Sequence, residues 1–190
     1  NWFNDHVKVG DTLEVMPPSG RFTLRDHSNR LLMFGGGSGI TPVISIIKAA
    51  LATTQRAIKL FYANRDDKSV IFAEELQCLV EAHPNRLQIV HSLDNREGYV
   101  TADRVRSFVD TVESSDIYMC GPGPFMDIIE QTVQEMGATR EQLFLERFVS
   151  PKDPDSSDLE TEDEEDSTPA GATLTSFVAK WEGSMHQVPY

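Results

Sequence analysis

The sequence is poor in cysteine and contains no long apolar run. Cys78 and Cys120 are its two cysteines, too few for a disulfide framework or, by themselves, for a four-ligand metal site. No apolar stretch approaches the roughly 18 consecutive residues that a membrane-spanning helix needs. The sequence therefore predicts no metal ligands and no membrane segment, and it favours a reducing, cytoplasmic setting.

Positive charge is also scarce, with 17 Lys and Arg against 30 Asp and Glu and a net charge of -13. Binding a polyanion requires clustered Lys and Arg to replace its counterions, so we expect no nucleic-acid partner. Nine of the carboxylates lie between Asp153 and Asp166. We interpret residues 151–171 as an acidic, disordered linker, because they hold too little apolar surface to offset the entropy of ordering. A docking surface for a basic partner is the alternative.

An ordinary beginning is missing as well, since Asn1–His6 contain no Met, no basic cluster and no apolar signal-peptide core. Residues 1–27 are strand-like at Val7–Val9 and Thr12–Val15, and one or two strands cannot form a domain. We expect this segment to be the C-terminal end of a sheet domain that lies upstream. At the other end, residues 172–190 have the pattern of a strand hairpin, from which we expect a further domain to continue.

Between residues 28 and 150, strand-like and helix-like segments alternate. The strand-like segments are short apolar runs at 31–34, 58–62, 87–91, 117–120 and 143–146. The helix-like segments fall at 41–51, 72–82, 102–109 and 125–136. Parallel neighbours need helical crossovers, so this order predicts an α/β fold with a five-stranded, doubly wound parallel sheet. Thr41 is the expected N-cap of the first helix and Pro42 its first helical residue.

A run rich in glycine, Gly35–Gly39, joins the first strand to the first helix. Such a turn brings backbone N–H groups and a helix N-terminus to the carboxyl end of a strand, where they can bind phosphate. Its spacing differs from the G-x-G-x-x-G dinucleotide fingerprint, because Ile40 occupies the third glycine position. A tight strand-to-helix turn without a ligand is the alternative interpretation.

A second glycine-containing loop, Cys120–Pro124, follows the fourth strand. In open parallel sheets, ligands bind outside the carboxyl ends of the strands, at the point where the strand order reverses. We therefore expect the glycine turn and Cys120 to face one crevice, a pairing that is more specific than either loop alone. Cys78 lies in the second helix among apolar residues and is expected to be a small buried side chain.

Four short motifs of the chain resemble the nucleotide domain of the ferredoxin-NADP reductase superfamily. They are Gly35–Pro42, Tyr62–Arg65, Cys120–Met126 and Glu146–Phe148. Within that superfamily the chain is most similar to three-part reductases, which have a flavin domain, a nucleotide domain and a C-terminal plant-type ferredoxin. The reductase components of 3-ketosteroid 9α-hydroxylases are the type that it resembles best, and the resemblance covers nearly the whole chain.

The resemblance implies a role for each motif. The pyrophosphate and the nicotinamide ribose would be held by Gly37, Ser38, Gly39, Ile40, Thr41 and Pro42. Asn64 and Arg65 would contact the adenosine ribose or its phosphate. The nicotinamide side would be formed by Cys120, Gly121, Pro122, Glu146 and Phe148. Of these, Cys120 and Glu146 are the catalytic candidates, one beside nicotinamide C4 during hydride transfer to flavin N5 and the other positioning the nicotinamide.

Two of these assignments have structural alternatives. Arg65 would serve equally in a surface salt bridge to Asp66 or Asp67. Phe148 would either stack near the flavin ring or simply cap the core after the last strand. The carboxylates of Asp66 and Asp67 would repel a 2′-phosphate, so the sequence favours NADH over NADPH, although Arg65 alone points the other way.

The resemblance also assigns domains and cofactors. Residues 1–27 would end an FAD-binding antiparallel barrel, 28–150 form the NAD(P)-binding domain, 151–171 the linker and 172–190 the first hairpin of a [2Fe-2S] ferredoxin domain. The family's Arg-x-Tyr-Ser flavin motif is absent, and the cluster's cysteine ligands would lie beyond Tyr190. This chain alone is therefore not expected to bind FAD fully or to hold a cluster.

The function implied is that of an electron-transfer reductase. It would pass electrons from NAD(P)H through FAD and a [2Fe-2S] cluster to a terminal oxygenase, in steroid or aromatic catabolism. One alternative is the reductase half of a flavohaemoglobin, which has neither the acidic linker nor the ferredoxin-like tail. Another is a non-catalytic nucleotide-binding module, which the chain alone would resemble because without flavin it has no hydride acceptor.

Overall fold

The computed structural model describes residues 5–12 and 19–147 in full, and 176–181 and 184–189 as backbone strands. Three expectations fall outside the described residues: most of the strand at Thr12–Val15, the linker at 151–171 and the placement of Phe148. The chain divides into two compact units, one formed by residues 22–156 and the other by residues 1–21 with 157–190.

The larger unit is built on parallel strands. They are β1 (Arg30–Gly36), β2 (Ile58–Asn64), β3 (Leu87–Leu93), β4 (Ser115–Cys120) and β5 (Leu143–Glu146). The strands form a five-stranded sheet in the order β3-β2-β1-β4-β5, and each neighbouring pair is parallel. The order reverses between β1 and β4, so the predicted doubly wound α/β sheet is confirmed.

Helices cover both faces of this sheet. They are α1 (Ile40–Thr53), α2 (Ala73–Ala82), α3 (Asp94–Glu97), α4 (Ala102–Phe108) and α5 (Gly123–Glu135). Leu31 and Met33 of β1 pack with α1 and α2 in one core cluster, while Leu32 and Phe34 pack with α4 and α5 in the other. Alternate residues of a strand point to opposite faces, which explains why β1 is apolar from Leu31 onward.

The first helix begins earlier than the sequence predicts. A 3-10 turn at Gly37–Gly39 leads directly into α1, and Gly39 is the N-cap without any side-chain cap hydrogen bond. Thr41 is therefore the second helical residue, and its Oγ1 donates to the carbonyl of Ser38 at 3.0 Å. The predicted cap is wrong because the hydrogen bonds of the 3-10 turn continue into the helix. Pro42 is third, where a missing N–H still costs no helical hydrogen bond.

Cys78 is exposed, so the expectation that it is buried is wrong. Helix α2 presents to the sheet the side on which Leu76 is buried and Leu79 and Val80 are partly buried. Cys78 follows Leu76 by two positions, which rotates it about 200° around the helix axis. It therefore lies on the solvent side of α2.

A buried polar cluster joins the segment before β1 to the beginning of strand β4. Asp116 is 1% exposed and accepts hydrogen bonds from Asn29 at 2.9 Å, His27 at 3.1 Å and Arg56 at 2.5 Å. Arg56, with its side chain 4% exposed, also donates to the backbone carbonyls of Arg25 and Asn29. Burial alone would raise the pKa of Asp116, but its hydrogen-bond donors outweigh burial and hold the pKa below its usual value.

The described N-terminal residues form a turn where the sequence is strand-like. The N–H of Lys8 donates to the Asp11 carboxylate at 2.9 Å, and the N–H of Asp11 donates to the carbonyl of Lys8 at 3.1 Å. These two bonds close the chain on itself, so the backbone groups are not extended for pairing with another strand. The predicted strand character of Val7–Val9 is therefore wrong.

The C-terminal hairpin is formed as predicted. Strands β6 (Ser176–Trp181) and β7 (Ser184–Pro189) pair antiparallel, with Trp181 opposite Ser184. Two residues connect the paired strands, which is the shortest common hairpin connection. The hairpin itself is confirmed, and its assignment to a ferredoxin domain stays a prediction.

Candidate functional site

A cavity of about 500 Å³ opens at the carboxyl ends of β1 to β4. The residues after each of these strands contribute to its lining, among them Gly37, Ser38, Asn64, Arg65, Asp94, Tyr99 and Pro122. The cavity lies where the strand order reverses, which is the position at which open α/β sheets bind ligands. Its volume is within the range of small-molecule sites, about 300–1,000 Å³.

The two glycine-containing loops are in direct backbone contact beside this cavity. A Cβ on Gly39 would lie 2.2 Å from the carbonyl oxygen of Cys120, and a Cβ on Gly121 would lie 3.0 Å from the Cα of Gly36. Only a residue without a Cβ permits such approaches. The loops after β1 and β4 therefore meet at one edge of the sheet, as their positions in the sequence predict.

Asn64, the last residue of β2, is buried without hydrogen bonds. It is 5% exposed, and within the described part of the chain neither its Oδ1 nor its Nδ2 has a partner of normal geometry, although the Tyr62 hydroxyl is nearby. A buried polar group left unpaired costs about 1–3 kcal/mol. Because Asn64 lines the cavity, a ligand there would supply the missing partners.

Arg65 is exposed, lines the cavity and forms no ion pair among the described residues. The two neighbouring carboxylates are engaged elsewhere. Asp66 accepts the N–H of Ser69 at 2.9 Å and caps a short turn, and Asp67 pairs with Arg96 at 2.5 Å. The alternative interpretation of Arg65 as a salt bridge to its neighbours is therefore not observed, and its guanidinium remains available to a ligand.

Two further lining residues were not among the sequence candidates. Asp94 begins α3 directly after β3, and Tyr99 lies farther along the same connection with 82% of its surface exposed. The position of Asp94 carried a usable signal, because ligands bind outside the carboxyl ends of strands and Asp94 is the first residue after the third strand. Tyr99 carried none. Among the described lining residues, Asp94 and Arg65 are the charged ones.

Cys120 and Glu146 end β4 and β5 and are neighbours across these strands. Cys120 is fully buried in the core cluster shared with α1 and does not line the cavity. Burial, together with the negative charge of Glu146, raises the pKa of the Cys120 thiol to about 11. The thiol is therefore protonated at neutral pH. Its placement beside a nicotinamide stays a prediction.

Three of the remaining candidates, at the start of α1, do not line the cavity. Ile40 is fully buried in the core, Thr41 is exposed and Pro42 is partly buried in the first turn of α1. The candidates that the cavity itself gathers are Gly37, Ser38, Asn64, Arg65 and Pro122. Gly39, Cys120 and Gly121 form the backbone contact beside it. Phe148 lies outside the described residues, so both interpretations of it stay open.

Residues 33–131 match the model of one protein family, described as the oxidoreductase NAD-binding domain. The match covers just over half of the chain and includes the glycine turn, Asn64 and the Cys120 loop. The chain belongs to this family. Domains of this family bind NAD. The residues that line the cavity can therefore be compared with the phosphate, ribose and base groups of a dinucleotide.

Individual relatives of this NAD-binding domain are reductase components. The chain is 42% identical over 193 residues to the ferredoxin reductase component of 3-ketosteroid-9-alpha-monooxygenase from Rhodococcus rhodochrous, covering 100% of this chain and 54% of the relative. It is 34% identical over 190 residues to the component of the same name from Mycobacterium tuberculosis, covering 100% and 52%. The predicted resemblance to oxygenase reductases is confirmed. The chain spans about half the length of the curated relatives it matches.

A solved structure shows the same fold. The flavohaem-like FAD/NAD-binding domain of nitric oxide dioxygenase from Vibrio cholerae O1 biovar El Tor matches with a TM-score of 0.66 at 23% identity, over 77% of this chain and 62% of that one. This likeness concerns the architecture alone. Within the residues that the structure describes, none of the helices combines the length and the apolar character needed to traverse a bilayer.

Proposed function

We propose that this chain is the nucleotide-binding module of an NADH-dependent electron-transfer reductase that serves a terminal oxygenase. One observation carries the proposal. The glycine turn and the unpartnered amide of Asn64 border the same cavity at the switch point of the sheet. A turn of backbone N–H groups suits a pyrophosphate, and an amide with a free donor and a free acceptor suits a ribose or an adenine.

The residues of this chain would bind and orient the nucleotide. When bound, NADH supplies a hydride from C4 of its nicotinamide, which the FAD of the whole protein would accept before a [2Fe-2S] cluster carries single electrons onward. Arg65 is placed to meet a phosphate at the adenosine end. Cys120 and Glu146 mark the nicotinamide end, where a protonated thiol serves as a small neutral contact rather than as a nucleophile.

The similarity to reductase components of a monooxygenase supports a terminal oxygenase as the electron acceptor. The paired strands β6 and β7, beyond the acidic run, support a three-part reductase over a flavohaemoglobin type, which would end near Phe148. Both cysteines are free thiols, which agrees with the reducing, cytoplasmic setting that we propose.

The proposal is tested by titrating the purified chain with NADH in a calorimeter, for the wild type and for Asn64→Leu. We expect the wild type to bind NADH, and added FAD to show no bleaching. We expect Asn64→Leu to weaken binding about tenfold, the loss of one or two hydrogen bonds. Its melting temperature should stay unchanged or rise, because the substitution removes a buried amide that has no hydrogen bond of normal geometry to the described residues.

The matched control for this experiment is Asn95→Leu. Asn95 is exposed next to the site and does not line the cavity, so its affinity for NADH should match that of the wild type. A wild-type chain that binds neither NADH nor NADPH contradicts the proposed function. Normal affinity in Asn64→Leu contradicts the role given to the amide.

We infer a preference for NADH from Asp94. Asp94 lines the cavity and follows Leu93, which pairs with Asn64 across β2 and β3, so a 2′-phosphate near Asn64 would bring two like charges together. This argument replaces the one from Asp66 and Asp67, because those carboxylates cap a turn and pair with Arg96.

Replacing Asp94 with asparagine tests this preference. Asp94→Asn should improve the affinity for NADPH relative to NADH about tenfold, the size expected for one unit charge removed at close range in a partly hydrated site. The dissociation constants of both nucleotides would be measured by calorimetry at low salt. Asp67→Asn changes the net charge equally without touching the cavity, so an equal gain in that variant would rule out a local effect of Asp94.

A further inference from the structure

Tyr62 is a buried residue whose hydroxyl contacts two of the loops that line the cavity. Its ring is fully buried in β2. The hydroxyl donates to the carbonyl of Gly37 and accepts the N–H of Ile71, both at 3.2 Å. Burial raises the pKa of Tyr62 above its usual value, so the hydroxyl keeps the proton that the first of these bonds requires.

This hydroxyl joins two separate stretches of the cavity wall. Gly37 belongs to the turn after β1, and Ile71 belongs to the loop between β2 and α2; both line the cavity. The Gly37 wall is the one assigned to the pyrophosphate, and the Ile71 wall continues from the residues assigned to adenosine. The side chain of one residue of strand β2 therefore contacts both walls.

One of the two walls contains a strained backbone conformation, and the other is a glycine turn. Gly37 has a φ of +52°, a left-handed conformation that glycine adopts without strain, and a Cβ there would point into open space. Phe72 has a φ of 58°, unusual for a bulky residue, and it and Ile71 are each 39% exposed. A left-handed conformation at a bulky residue such as Phe72 persists only where the surrounding structure holds it. The Tyr62 hydroxyl supplies one restraint to each wall.

We propose that Tyr62 is a positioning residue of the nucleotide site, whose hydroxyl fixes the spacing between the pyrophosphate wall and the adenosine wall. The inference rests on the proposed function. A dinucleotide spans both walls, so a fixed spacing spares it the entropy of ordering them when it binds. A mononucleotide such as AMP touches one wall and gains little from the connection. The hydroxyl thus raises affinity for the whole dinucleotide without touching it.

The chain contains a matched control, Tyr118. It is also fully buried, in β4, and its hydroxyl likewise joins two backbone groups, donating to the carbonyl of Thr23 and accepting the N–H of Arg25, both at 3.0 Å. Neither of these residues lines the cavity. Replacing either tyrosine with phenylalanine therefore removes a hydroxyl that joins two backbone groups. Only the Tyr62 hydroxyl joins residues of the cavity wall and lies near Asn64.

The test measures dissociation constants for NADH and for AMP in the wild-type chain, Tyr62→Phe and Tyr118→Phe, well below each melting temperature. We expect Tyr62→Phe to weaken NADH binding about tenfold and AMP binding by less than about twofold. Tyr118→Phe should keep both dissociation constants within about twofold of the wild type, even if its melting temperature falls as far as that of Tyr62→Phe. This split separates positioning from general stability.

The remaining outcomes each contradict something specific. Unchanged NADH affinity in Tyr62→Phe, or an equal loss in Tyr118→Phe, overturns the positioning role while leaving the proposed function in place. No binding by the wild type overturns the proposed function and, with it, the role of Tyr62. If Tyr62→Phe does not fold, amide hydrogen exchange of the wild-type chain provides a second test. NADH should slow exchange of the Ile71 N–H, and an unchanged rate overturns the inference.

Discussion

Replacing Asp116 with alanine should destabilise the larger unit by about 3–5 kcal/mol, the cost of leaving one partner of a buried ion pair alone. The side chains of Asp116 and Arg56 are 1% and 4% exposed. Without the carboxylate, the Arg56 guanidinium would remain buried with no opposite charge, and the donors of His27 and Asn29 would lose their acceptor. Denaturant unfolding followed by circular dichroism measures the loss.

The exposed pair of Asp67 and Arg96 is the control for this prediction. Its two side chains are 61% and 62% exposed at the same 2.5 Å separation. Solvent screens such a pair, so Asp67→Ala should cost less than about 1 kcal/mol. A loss for Asp116→Ala that is as small as the loss for Asp67→Ala would contradict a structural role for the buried cluster.

The same carboxylate predicts a pH dependence. The folded pKa of Asp116 lies below its unfolded value, because the hydrogen bonds from Asn29, His27 and Arg56 outweigh burial. Its contribution to stability is therefore present above the unfolded pKa of about 3.9 and is lost as the pH falls through the folded value. The stability difference between the wild type and Asp116→Ala should be constant near neutrality and shrink below about pH 4.

Gly39→Ala should be the second strongly destabilising substitution, costing about 3 kcal/mol and lowering the melting temperature by roughly 10 °C. The backbone of Gly39 is at φ -61° and ψ -9°, angles that alanine adopts easily. The whole effect is therefore steric, since the new Cβ would meet the Cys120 carbonyl at 2.2 Å. Backbone atoms cannot turn aside as a flexible side chain can, so the loops after β1 and β4 must separate.

Gly123→Ala is the matched control in the same loop system. A Cβ at Gly123 meets nothing within 4 Å, and the residue is the first of α5. Alanine there should be neutral or slightly stabilising, because it favours the helix. Calorimetric melting of both variants separates the steric effect from the loss of glycine as such. A Gly39→Ala chain as stable as Gly123→Ala would show that the two loops do not touch as described.

Local patterns in the sequence were sufficient to predict the sheet. The central strands β1, β2 and β4 are buried on both faces and form short apolar runs in the sequence, and the intervening helices have apolar residues at helical spacing. The order of the elements then leaves few topologies, which is why the reversal between β1 and β4 was predicted. The single-turn helix α3 was missed because four residues carry no periodicity.

The features that were missed depend on contacts distant in sequence. Arg56 and Asp116 are 60 residues apart, and nothing near either one indicates that both are buried together. The burial of Cys78 was predicted from its apolar neighbours, although these lie on one side of α2 and Cys78 on the other. The cavity was predicted in part. Its glycine turn is recognisable in the sequence, whereas Asp94 could be found only by applying the rule that ligands bind at the carboxyl ends of strands.

The central position of β1 has a consequence for synthesis of the chain. β1 pairs with β4 over a sequence separation of 85 residues at Arg30 and Ser115, so the ribosome makes the middle of the sheet long before one of its neighbours. At typical rates of elongation, the apolar edge of β1 waits on the order of ten seconds for β4. During that time the nascent chain carries an open, apolar strand edge, which is where chaperones bind and where aggregation begins. Translation that stalls before β4 is made therefore yields an incomplete chain that is prone to aggregate.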